Sequence, residues 1–149
     1  MSTGQVHSVP SDHHFLTPLA AVTCPVAPEL VRHLRNFVRD CTLGLDASAD
    51  TADTARLLTS ELVSNAVRHV APGSPLHLEV LRDEACRLLL VTVEDGDRTL
   101  PAFPPTSSPS SCHAAESGRG LPLVSLLAEE SGVAPSPTGK RVWFALKLA

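Results

Sequence analysis

No run of this sequence approaches the roughly 18 consecutive apolar residues that a membrane-spanning helix needs, so no membrane partner is expected. The N-terminus, MSTGQVHSVPSDHHFL, has no cationic start leading into an apolar stretch. No secretory signal is therefore visible, and the expected compartment is the cytoplasm. Basic residues are also short: 12 Lys and Arg stand against 16 Asp and Glu, a net charge of −4. With no excess to neutralise phosphates, direct nucleic-acid binding is not expected. Cysteine is sparse and scattered, as Cys24, Cys41, Cys86 and Cys112, with neither a CxxC pair nor zinc-site spacing. These read as small hydrophobes in a reducing compartment. There is no internal repeat.

What is present is enough for one core. The 149 residues are 43% apolar and 19% charged, which suits a single compact domain. Residues 1–14 are polar, hold His7, His13 and His14, and read as a disordered tail. FLTPLAAV can add an edge strand, with Pro18 against a central position. From Pro28 to Cys41, Leu30, Val31, Leu34, Phe37, Val38 and Cys41 share one helical face, and Gly44 breaks the pattern. A second helix runs from about Ser48 to Val70 and stops at Pro72-Gly73. Leu76, Leu78 and Val80 alternate, Asp83-Glu84 makes a turn, and Leu89, Val91 and Val93 share one face of a second strand. Residues 97–117 are rich in proline and serine without period, the composition of a lid or a disordered segment. GRGLPLVSLLAEESG reads as a helix ended at Gly132, and RVWFALKL as a final strand. This order predicts an α+β, two-layer sandwich, with helices on one face of a mixed, mostly antiparallel sheet.

Three polar features resist a purely structural reading. In ELVSNAVRHV, Leu58, Leu62, Ala55, Ala66 and Val70 fall on one helical arc, and Glu61, Asn65 and Arg68 form a stripe beside it. An Asn carbonyl there suits magnesium, and a Glu one turn away can accept a proton from an attacking hydroxyl. A solvent-facing stripe gives the same spacing, so both readings stay open. In VTVEDG, Asp95 continues the parity of Leu89, Val91 and Val93. An inward carboxylate needs donors, such as the exocyclic amine of a purine, and Gly96 lets the backbone come close to a ring. A turn residue just past the strand is the alternative. In ESGRGLPLV, Gly118 and Gly120 precede a helix whose N-terminus can receive an anion, with Arg119 adding charge-assisted contacts and Pro122 suited to the first turn.

Together, ELVSNAVRHV, VEDGD, SGRGLPLVSLLAEESGV and GKRVWFAL resemble the ATP-binding domain shared by gyrase, Hsp90, histidine kinases and MutL, and more closely its bacterial anti-sigma-factor serine/threonine kinases. The likeness spans roughly residues 15–148 and implies one ATP-binding domain over 15–149, with a flexible lid at about 97–117. It implies ATP and Mg²⁺ as cofactors, Glu61 as catalytic base, Asn65 as magnesium ligand and Asp95 as partner of the adenine amine. Gly118, Arg119, Gly120 and Leu121 match the second glycine-rich box. The implied partners are a sigma factor and a phosphorylatable, STAS-type antagonist protein. A homodimer stays open.

The sequence also departs from the family pattern. Asp97 stands where the first box carries a glycine, and it brings a negative charge towards the expected phosphates. Lys140 and Arg141 follow Gly139, where a threonine is usual. These changes bear on turnover more than on fold, so a non-catalytic, ATP-dependent binding module is the second expectation. His33, on a helix in ELVRHLRNF, looks superficially like a phosphoacceptor but is expected to be an ordinary surface residue.

Overall fold

The computed structural model describes residues 16–97 and 120–148. The N-terminal tail, nearly all of the expected lid, Cys112, Gly118 and Arg119 lie outside these residues. The order is β1 (Leu16–Pro25), α1 (Leu30–Leu43), α2 (Ala49–His69), β2 (Pro75–Asp83), β3 (Leu88–Asp95), α3 (Gly120–Leu127), β4 (Glu130–Pro135) and β5 (Lys140–Lys147).

The long helix α2 follows from its sequence. Between Ala49 and His69 there is neither proline nor glycine. Ser48, in extended conformation, caps the start by accepting the Thr51 N–H at 3.1 Å. The helix ends where Val70 turns extended, ahead of Pro72 and of Gly73 at a φ of 85°. Its buried face, including Ala55, Leu58, Leu62 and Ala66, shares one core with Leu30, Leu34 and Val38 of α1. The same core takes in Leu76, Leu78 and Val80 of β2, Leu89, Val91 and Val93 of β3, and Val142, Phe144 and Leu146 of β5.

The five strands form one sheet in the order β1-β2-β3-β5-β4. This is the expected α+β sandwich, but every pairing among the described strands is antiparallel, so the expected mixed character is not seen there. β1 takes the edge, and its register shifts between Pro18 and Ala20, where a proline without an N–H is tolerated. Away from the helices, Leu81, Leu88, Leu90 and Ala145 make a small second cluster with Leu16.

One expectation is corrected. The helix read as reaching Gly132 stops at Leu127, and residues from Glu130 join the sheet as β4. The Glu129 N–H already donates to the Ala145 carbonyl at 2.8 Å, and Gly132 lies opposite Trp143. A Cβ at position 132 would stand 2.9 Å from the indole ring, so this glycine makes room for a cross-strand aromatic instead of ending a helix. Glu129 and Glu130 suit a helix locally, and the neighbouring strand outweighs that preference.

Candidate functional site

Asp95 is the last residue of β3, and its cross-strand partner is Lys140, the first residue of β5. Both share the parity of the core-facing residues on their strands, so they point to the helix side of the sheet. The pair is closed off from solvent: the side chains are 2% and 1% exposed. The Lys140 ammonium donates to Asp95 Oδ1 at 3.0 Å and to Oδ2 at 2.9 Å, and it stands 3.5 Å from Asp97 Oδ2. Asp95 Oδ1 also accepts the Asp97 backbone N–H at 2.8 Å. Asp95 is thus an inward residue of the strand itself, not a turn residue past its end, and its carboxylate also anchors the turn that follows.

Lys140 was not foreseen in this position. Its parity with Val142, Phe144 and Leu146 was the available signal, since a charged residue continuing a core stripe needs a partner. Within the protein's own packing, the glycine that close approach requires is Gly139. A Cβ on Gly96 would lie 3.8 Å from the Thr138 carbonyl oxygen, an ordinary contact. A Cβ on Gly139 would lie 2.0 Å from the Asp95 carbonyl oxygen and 2.6 Å from Gly96. Gly139 is therefore what lets the β4–β5 turn lie against the end of β3.

On α2, Asn65 is 5% exposed and Glu61 is half-buried one turn earlier. Asn65 sits within the buried face, beside Leu62 and Ala66, instead of on the stripe at its edge. Among the described residues no hydrogen-bond partner reaches its side chain, so its amide remains available to a ligand. α2 packs between α1 and α3 and lies over β3 and β5, so Glu61, Asn65 and Asp95 belong to one side of the sheet. Arg68 and His69 are exposed. His33 is exposed, as expected for a surface residue.

Gly120 and Leu121 form the start of α3, which packs against α2 and β4. Gly118 and Arg119, the rest of that glycine-rich segment, lie outside the described residues. Cys24 and Cys41 pack against the core as free thiols, whereas Cys86 is exposed in the β2–β3 turn. Burial, and then the nearby Asp40 carboxylate, pushes the Cys41 thiol up.

A separate cavity of about 380 Å³ opens on the other face of the sheet, between His77, Glu79, Thr92, Glu94 and Arg141. There Arg141 donates to Glu94 at 2.9 Å and Thr138 donates to it at 3.1 Å. It shares no residue with the Glu61, Asn65 and Asp95 set.

A family model for the histidine kinase-like ATPase domain matches residues 24–146, most of the chain. The chain belongs to that family. Comparison with curated proteins finds no match. Membership in the histidine kinase-like ATPase family implies ATP binding, and the residues of this domain fit that ligand unevenly. Asn65 offers a buried amide, unengaged among the described residues, of the kind a magnesium–phosphate group needs. Asp95, the residue suited to the base, is already engaged by Lys140.

Proposed function

We propose that this histidine kinase-like ATPase domain is a regulatory serine/threonine protein kinase of the anti-sigma-factor type, using ATP and Mg²⁺. The observation that carries the reading is the pairing of half-buried Glu61 with buried Asn65, which has no partner among the described residues, on α2 above the sheet face to which Asp95 points. Asn65 would hold the metal. Glu61 would take the proton of a serine or threonine hydroxyl on a STAS-type antagonist protein as that oxygen accepts the γ-phosphoryl group and ADP leaves. Phosphoryl transfer depends chiefly on positioning and electrostatics, so one base and one metal ligand on a rigid helix are a sufficient protein contribution. The protein would act in the cytoplasm, between that antagonist and a sigma factor.

Glu61→Ala is expected to keep ATP binding and to lower transfer of labelled phosphate to the antagonist by about 10²–10⁴-fold, the usual loss when a general base is removed. Unchanged transfer by the variant would reject Glu61 as the base.

A second reading is favoured by the Lys140–Asp95 pair and by Asp97 beside it: a domain that binds ATP to present a surface to a partner and transfers nothing. Wild-type protein that binds ATP but labels no candidate antagonist would support it.

A further inference from the structure

The chain contains two lysines, placed in opposite surroundings. Lys147 ends β5 and is exposed; Lys140 begins it and is buried. An ammonium is strongly hydrated and stays inside a protein only with carboxylates around it. Lys140 has Asp95 on both oxygens and Asp97 at 3.5 Å. A carboxylate offers about four acceptor positions. The two Lys140 contacts and the Asp97 N–H take three of those on Asp95. A base amine approaching from outside therefore meets a carboxylate that the protein has already engaged.

Holding β3 to β5 does not explain the pair, because those strands are in register from Leu88–Lys147 to Asp95–Lys140, with buried apolar pairs such as Val91–Phe144 and Val93–Val142 between. A buried ion pair also adds little net stability over apolar side chains of similar size. Its place at the base-recognition end of the site gives it a consequence.

We propose that Lys140 is a lock on Asp95: it competes with the exocyclic amine of an adenine nucleotide, so residue 140 sets the affinity of the domain for adenine nucleotides. This rests on the nucleotide-binding reading above and adds the residue that tunes it. Asp97 gives the displaced ammonium a second carboxylate within reach, and its side chain is 19% exposed. The swing therefore keeps the charge paired and carries it towards solvent, avoiding the large cost of an unpaired buried ion.

Calorimetric titration of wild type, Lys140→Thr and Lys140→Gln with adenosine and with ATP tests this. Adenosine carries no phosphate, so it reports on the base end without the charge change that the substitutions bring to a triphosphate. Lys140→Thr is expected to bind adenosine at least about tenfold more tightly than wild type, which is about 1.4 kcal/mol. Lys140→Gln should gain in the same direction. Equal or weaker adenosine binding by folded variants overturns the lock while leaving ATP binding by wild type intact. If no protein binds either ligand, the nucleotide reading falls and the lock falls with it. Acetylation of wild type, read by mass spectrometry against Lys147 as internal reference, needs no variant. Lys140 should resist in the free protein and become labelled at saturating adenosine; continued protection with adenosine bound overturns the proposal.

Discussion

Glu94, next to Asp95, shows how sharply environment changes between adjacent residues of one strand. Asp95 faces the helix layer and a buried lysine, whereas Glu94 faces the other side of the sheet and accepts from Arg141 and Thr138. Burial alone would raise the Glu94 carboxyl. Hydrogen bonds from Arg141, Ser136 and Thr138, with the Arg141 charge, outweigh it and hold the group below its ordinary value of 4.5. A carboxyl lowered on folding stabilises fully above its unfolded value, and the contribution is lost as pH falls through the folded value. Glu94→Gln should therefore be less stable than wild type at neutral pH, and the gap should close in acid, below the ordinary carboxylate range. Urea midpoints across that range check the sign. Gly139 carries a steric constraint: Gly139→Ala puts a methyl group into the Asp95–Gly96 backbone. A loss of about 1–3 kcal/mol or more is expected from forced overpacking, measured by denaturant unfolding. Gly96→Ala, with ordinary space around its Cβ, should lose less.

Helix α2 is the element on which the proposed chemistry depends, since it carries both Glu61 and Asn65. Its interior needs no special account, but its first turn does, because four N–H groups there lack helical partners. Ser48 satisfies one of them through its side chain. Ser48→Ala should lower stability by about 1 kcal/mol, read from thermal or urea unfolding, without moving the buried face that orients Asn65. The strands were legible where one face alternates: Leu76, Leu78 and Val80 gave away β2, and Leu89, Val91 and Val93 gave away β3. β4 was not, because ESGVAP has no alternation and includes a glycine whose role is set by Trp143 on another strand. A helix-like prefix, Leu126 to Glu130, then extended the wrong element. Pairing with β5 decided the boundary, and a local pattern cannot contain that information.

At the scale of the whole molecule, one helix layer on one sheet brings residues more than thirty positions apart to the same side. That arrangement makes a ligand-linked stability gain expected. ATP with magnesium at 100 times its dissociation constant should raise unfolding stability by about 2.7 kcal/mol, and GTP should give less. In Asp95→Ala the ATP–GTP difference should vanish when each protein is compared with its own ligand-free melting curve. Loss of the ATP effect in wild type would instead remove the nucleotide from the account.

The sequence by itself determined the α+β class, the two main helices and the β2–β3 hairpin, and it left Asp95 as either an inward strand residue or a turn residue. Those elements follow from local periodicity, capping or breaking residues, which are readable one segment at a time. Only the tertiary structure decided what Asp95 meets once inside. Lys140 lies 45 residues away, and nothing in GKRVWFAL alone says which carboxylate its ammonium will face. The register of β3 against β5 fixes that pairing, and register is set by burying Val91, Val93, Val142 and Phe144 on one side together.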